Sequence, residues 1–274
     1  MGSLVLTDAL FAIWNAFVEE RTGIHYLHAD RDLFQGKLES RAVDAGFGSL
    51  LDYYYFLRYD PGAAPELEVL IDALVVNETY FFREAPPLKV LCRTVLRSAV
   101  QAGKKPRVWC AGCATGEEPL TLAMMLADEG LLANVDIVAS DIGQRVLSRA
   151  REGVYGAHSL RVIPPEVMGK WVHLVDGRAV VSSALRDRIE WRHINLLDER
   201  RVRALGTFDA IICRNVLIYF SDKTIQRVVG TLIQSLREHA PLLVGASESL
   251  LRFGTVLNCE ERGGSFLYMK ATHG

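Results

Sequence analysis

The spacing of apolar positions divides the chain in two. Over the first 75 or so residues they recur at helical intervals: Leu10, Ile13, Trp14 and Phe17 share one face, and Leu33, Leu38 and Ala42 share another. Asp30 stands where the second of these helices would be capped, and Gly46 where it would end. Ser49 to Leu57 and Pro65 to Leu74 add two shorter periodic stretches, with no strong strand-like alternation between them. The pattern predicts an all-helical domain, residues 1–75, of about three to five helices. From residue 106 or so the rhythm changes. Short β-rich runs alternate with helical ones: VWCAG, EPLTLAMMLADEG, VDIVASD and GQRVLSRAREGVY. That order predicts an α/β fold with a parallel sheet covered by helices. Later candidate strands are RIEWRHIN, FDAIICRN, PLLVGAS and FLYMK, with a helix from Asp222 to Glu238. Between Val172 and Ser182, the pair Asp176-Gly177 separates two β-like runs, a hairpin signal that breaks the rhythm. We therefore expect a second unit, residues 76–274, with a small antiparallel insertion near residues 160–188.

Charge sharpens the division. Residues 1–75 hold 12 acidic and 5 basic side chains, although the chain of 274 residues carries a net charge of only −2. An acidic lobe beside a mildly basic one fits two structural units. Neither the balance nor the sequence offers the basic stripe with interleaved aromatics that nucleic acid requires. Five cysteines without framework spacing argue against a disulfide scaffold. No apolar run approaches the ~20 residues of a bilayer span, so no membrane insertion is expected. The opening residues MGSLVLTDALFAIW lack a basic leader region and include Asp8, which points to a cytoplasmic protein.

The chemistry centres on RVWCAGCATGEEPLTLAMML. A short strand runs into a turn of small residues from Ala111 to Gly116, and a helix starts near Glu117. Glycines such as Gly112 let backbone approach a ligand closely. The next strand ends at Asp141, 25 residues after Gly116, where nucleotide-binding α/β folds place an acid on the ribose hydroxyls. Only Gly112 and Gly116 approximate a dinucleotide fingerprint, and Glu117 and Glu118 would repel a pyrophosphate at the helix start. A sulfonium cofactor without phosphates, S-adenosylmethionine, suits this loop better. Cys110 and Cys113 form a CxxC without a second half-site. Buried packing is therefore the expectation, and no metal.

Three segments in order, NETYFFRE (Asn77 to Glu84), AGCATGEEP (Ala111 to Pro119) and FDAIICRNVLIYF (Phe208 to Phe220), resemble the CheR chemotaxis receptor methyltransferases. NLLD (Asn195 to Asp198) lies between the last two, and the resemblance runs from about residue 20 to residue 270. It implies a Rossmann-like class I S-adenosylmethionine methyltransferase sheet, an N-terminal all-helical domain and a small antiparallel β insertion. It also implies methyl transfer to glutamates on methyl-accepting chemotaxis receptor helices, giving γ-methyl esters and S-adenosylhomocysteine. Carried over by motif, cofactor contacts fall on Asn77, Thr79, Arg83, Glu118, Asp141, Asn195, Leu196, Arg214 and Asn215. Asp141 would take the ribose, Glu118 the ammonium, and Asn195 with Leu196 the adenine. Arg83 and Tyr219 are the expected catalytic pair.

An acceptor carboxylate is already ionised at neutral pH, since free Glu has a pKa of ~4.3, so the resemblance requires neither a general base nor a metal. Some relatives dock on a receptor's C-terminal pentapeptide through a glycine-rich turn in the insertion. Here HLVDGRAVVSS carries only Gly177, so pentapeptide-independent docking is expected. The arginine-rich helix of well-studied members is reduced here to Lys37 and Arg41. The alternative of a different class is a module that binds S-adenosylmethionine without turnover. A methyltransferase for small molecules or nucleic acid on the same fold is a third reading.

Overall fold

A computed structural model describes residues 4–271. Its first four helices are α1 (Asp8–Thr22), α2 (Arg31–Asp44), α3 (Leu50–Tyr59) and α4 (Ala64–Leu74). Thr7 caps α1 by accepting from the Leu10 N–H, and Ser49 caps α3 by accepting from Leu51 and Asp52. Trp14, Phe17, Phe34, Leu38, Tyr53, Leu70 and Leu74 form their common core. Three expectations need correction. Ile13 (39 % exposed) lies outside the buried stripe of α1, which runs through Trp14, Phe17 and Val18, and Leu33 (59 % exposed) lies outside that of α2, which runs through Phe34, Leu38 and Ala42. Asp30 occupies the N-cap position of α2 without capping it; its carboxylate accepts from the Leu27 N–H and closes the preceding 3-10 turn.

The helices α5 (Ala85–Val90) and α6 (Arg97–Gln101), joined by a π-helical stretch at Leu91–Leu96, bury Leu88, Leu91, Cys92 and Leu96 against the sheet. Then come β1 (Arg107–Ala111), α7 (Glu117–Asp128), β2 (Asp136–Asp141) and α8 (Gln144–Glu152). A small sheet follows: β3 (Val154–Tyr155), β4 (Val172–Val175) and β5 (Arg178–Val181), with the short helix α9 (Ala157–Leu160). Asp176 and Gly177 turn the β4–β5 hairpin with φ of 49° and 75°. The pairing of β5 with Val154–Tyr155 lies upstream of the segment that the hairpin signal marks. The chain continues through α10 (Ser183–Arg186), β6 (Ile189–His193), α11 (Glu199–Ala204), β7 (Ala210–Ile212), α12 (Asp222–Ser235), β8 (Pro241–Leu243), β9 (Leu257–Arg262) and β10 (Ser265–Lys270). The helix expected from Asp222 to Glu238 thus ends three residues early. Strand β9 has no clear apolar run in the sequence, since Asn258, Glu260 and Glu261 interrupt it.

The main sheet has seven strands in the order β6-β2-β1-β7-β8-β10-β9. The first five are parallel, and β10 runs antiparallel between β8 and β9. Chain order reverses between β1 and β7, and in open α/β sheets ligands bind beyond the strand ends at such a switch point. Six non-glycine residues have positive φ among those described, and four of them lie in the three motifs: Phe82, Glu84, Ala114 and Asn215. Such backbone costs of order 1–3 kcal/mol per residue and persists where surrounding contacts enforce it. The strain therefore marks the same place as the topology.

Candidate active site

The motif segments converge on one cleft of roughly 1000 Å³, open mouth included, above β1, β2 and β7. All the residues expected at the site line it: Asn77, Thr79, Arg83, Gly112, Glu118, Asp141, Asn195, Leu196, Arg214, Asn215 and Tyr219. Their surroundings give several of them more than one task.

The loop after β1 is held by the end of β2. The N–H groups of Gly112 and Cys113 both donate to the Ser140 carbonyl, at 2.8 and 2.9 Å. A Cβ on Gly112, at φ 76°, would come within 2.4 Å of Val216 Cγ2, and one on Gly116, at φ 90°, within 2.7 Å of Ala150 Cβ. Only glycine fits both positions. Asp141 accepts from the Ala114 N–H (2.8 Å) and the Gly143 N–H (2.9 Å), one on each oxygen. The Ile142 backbone also favours the ionised carboxylate. Burial pushes the Asp141 carboxyl above the usual range, opposed by those backbone donors. The residue that would hold ribose hydroxyls therefore also shapes the loop.

Glu117 and Glu118 part company. Glu118 lines the cleft, whereas Glu117 is absent from its walls and accepts from Thr115 Oγ1 (2.7 Å) and Ser159 Oγ (2.8 Å). Burial raises both carboxyls. Glu118 with Asp141, rather than the Glu117–Glu118 pair, would repel a pyrophosphate here. Tyr155 of β3 donates to the Thr115 carbonyl at 2.8 Å, so the small sheet buttresses the loop.

Arg214, nearly inaccessible, binds Glu118 (2.8 Å), Glu84 (3.0 Å) and the carbonyls of Arg83 and Glu84. Its guanidinium ties the NETYFFRE segment to α7, and its buried Nε has no partner. Arg83 does not pair with its neighbour Glu84. Its Nη1 donates to the Glu78 carbonyl at 2.7 Å, and it makes no ion pair among the described residues. Most of its donors are therefore open to a carboxylate. Tyr219 lies close enough to feel that charge. Burial raises its hydroxyl pKa and Arg83 opposes the shift, so the group is a donor at neutral pH.

The helical lobe contributes a wall that the sequence did not reveal, through Thr22 and Ile24. The His25 N–H donates to the Tyr219 carbonyl at 2.8 Å, and Ile24 bridges to Phe220. Asn195, expected beside adenine, donates its Nδ2 to the Arg21 carbonyl at 2.6 Å and so helps join the lobes. Asn77 and Thr79 line the cleft on a segment that bends from α4 into the catalytic unit. Phe81 is core, edge-on to Tyr155. Cys110 and Cys113 are buried free thiols with pKa values raised by desolvation. Glu248, in a turn after β8, was not singled out by any spacing signal, yet its carboxylate is buried beneath the Asn215 loop.

The charged residues lining the cleft are Glu78, Glu118 and Asp141 with Arg83 and Arg214, and Arg214 is held by Glu118 and Glu84. The carboxylates of Glu118 and Asp141 beside the glycine loop suit a ligand with a sulfonium and an ammonium and no phosphate.

The CheR methyltransferase all-alpha domain matches residues 9–75, and the SAM binding domain of the same family matches residues 77–262. The chain is 31% identical over 280 residues to chemotaxis protein methyltransferase 2 of Vibrio cholerae, spanning 100% of this chain and 97% of that protein. It is 33% identical over 254 residues to chemotaxis protein methyltransferase 1 of Pseudomonas aeruginosa (89% and 91% covered). It is 32% identical over 254 residues to the chemotaxis protein methyltransferase of Salmonella typhimurium (90% and 85%). With both domains matched and the cleft formed by the shared motifs, the chain belongs to the CheR family and is an S-adenosylmethionine-dependent methyltransferase.

Proposed function

We propose that Arg83 and Tyr219 hold the acceptor carboxylate in this cleft while Asp141, Glu118, Asn195, Leu196 and Asn215, with the Gly112 loop, bind the cofactor. The reaction is methylation of glutamate side chains on chemotaxis receptors, with S-adenosylhomocysteine as the second product. Bound S-adenosylmethionine supplies a methyl group on positively charged sulfur. The chain's own contribution is positioning, which is worth roughly 7–11 kcal/mol when reacting groups are well aligned. Arg83 orients the acceptor through its free donors, and Tyr219 adds a hydrogen bond. A receptor glutamate arrives ionised and needs no base. Ile24, Tyr80 and Phe220 line the cleft and limit water there. The observation that carries the assignment is Arg83, an unpaired guanidinium at the cleft beside Tyr219.

The helical unit of residues 1–75 serves in this reading as both receptor-facing lobe and cleft wall, and residues 76–274 as the catalytic unit. Docking independent of a pentapeptide is supported by the tight Asp176-Gly177 turn of the insertion. No helix among the described residues is long and apolar enough to cross a membrane, and we place the enzyme in the cytoplasm, where receptor helices are reachable. The test is incorporation of base-labile labelled methyl into receptor membranes from the same cell, with full-length receptors and receptors lacking their last residues. Equal labelling of both supports the reading. Labelling of the full-length receptor alone overturns the docking mode, and cofactor binding without label overturns the catalytic assignment.

A further inference from the structure

We infer that Glu248 is a positioning residue for the catalytic loop Asn215–Tyr219. The inference rests on the reading that this loop carries Tyr219 to the acceptor. Glu248 sits in the turn after β8 and is 7% exposed. Its Oε2 accepts from the N–H groups of Asn215 (2.7 Å) and Gly245 (2.6 Å), and its Oε1 from those of Val216 (2.9 Å) and Ile218 (3.2 Å). All four acceptor sites of the carboxylate are filled by backbone donors, and three of the four come from one loop. Strands β7 and β8 are adjacent and parallel, so this one side chain ties their two C-terminal ends together.

The consequences run to the cleft. Asn215 is at φ 57°, a conformation a non-glycine residue holds only under outside constraint, and the bond to its N–H supplies one. Val216 is held where its methyl fills the space beside Gly112 of the cofactor loop. The next turn, Leu217–Tyr219, is a 3-10 helix that places the Tyr219 ring. A glutamine at 248 would keep the shape and lose half the acceptors, pointing its NH₂ at backbone N–H groups. The loop would then drift relative to the acceptor site.

The experiment is a double-mutant cycle on the full chain, with Tyr219→Phe, E248Q and the double variant assayed for kcat on receptor membranes. Amide exchange at residues 215, 216 and 218 is followed in each. We expect Tyr219→Phe to slow turnover. E248Q should slow it roughly 100-fold, the scale of a misplaced reacting group, with faster exchange at the three amides. The double variant should be no slower than E248Q. Additive losses, or E248Q turnover at the wild-type rate, overturn the inference. If Tyr219→Phe alone turns over normally, the reading of Tyr219 fails. Glu248 is then judged by the same cycle with Asn215→Ala, where additivity again overturns it. Glu248→Asp, which keeps the charge but not the reach, replaces E248Q if the latter does not fold. Wild-type kcat and exchange in that variant reject the proposal.

Discussion

In the helical lobe Glu20 meets Arg58 at the surface, whereas in the cleft Asp141 is buried and Glu118 is bound by the buried Arg214, which also binds Glu84. The hydrogen bond from Arg58 holds the Glu20 carboxyl below its ordinary range, and burial pushes Asp141 and Glu118 above theirs. A carboxyl's pKa is thus set by an ion pair in one region and by burial in the other. Surface pairs of the first kind contribute little to stability. Buried carboxylates of the second kind gain most from a cationic ligand.

The sharpest way to break this contrast is Asp141→Ala. It removes the proposed ribose acceptor and strands the Ala114 and Gly143 N–H groups, each at a cost of about 1–3 kcal/mol. Calorimetry should show cofactor affinity falling by roughly 100-fold or more, since two lost hydrogen bonds to a charged group are worth about 3 kcal/mol or more. Affinity within threefold of wild type would contradict the role. Next, Arg83→Ala should lower kcat/KM on receptors about 100-fold with little change in cofactor affinity, a transition-state loss of about 2.7 kcal/mol. Arg83→Lys should recover little, because an ammonium lacks the planar fork. Glu118→Gln should weaken cofactor binding about tenfold, the scale of one charge-assisted hydrogen bond.

Acidity separates the regions more gently. The raised pKa values of Asp141 and Glu118 mean that the free folded protein binds protons more tightly than the unfolded chain. Their contribution to stability is full below the unfolded pKa and fades as pH rises through the raised values. Glu20 runs the other way: its contribution is present above the unfolded pKa and fades as pH falls through the depressed one. A cationic ligand favours the ionised cleft, so its affinity should decline on acidification at a higher pH than an ordinary carboxylate would dictate. Binding near that pH should release protons, detectable as a dependence of calorimetric heat on buffer ionisation enthalpy; uptake would reverse the assignment. Arg58→Ala, the smallest effect, should leave receptor methylation unchanged. A loss there would mean that the lobe's surface pairs reach the cleft.

Much of this was legible along the chain. The change from helical to β-α rhythm separated the two units, and small residues before Glu117 with Asp141 at the next strand end marked the cofactor loop. Resemblance then added Arg83 and Tyr219. Glu248 was not legible, because a glutamate in a turn becomes informative only when parallel β7 and β8 bring Asn215 above it. The opposed directions of Glu117 and Glu118 depend on where Ser159 arrives, 42 residues on. The Thr22–Ile24 wall depends on how the lobes dock, through the Asn195 and His25 bonds, and no local pattern encodes that.

The Glu118 and Asp141 carboxylates beside the glycine loop select a sulfonium cofactor over a phosphate-bearing one. Titrating the full-length protein by calorimetry with S-adenosylmethionine, S-adenosylhomocysteine and NAD tests this selection most directly. The account predicts one site that takes both sulfur compounds, is lost in Asp141→Ala and ignores NAD. Saturable NAD binding at that site, or S-adenosylmethionine binding that survives Asp141→Ala unchanged, would contradict it.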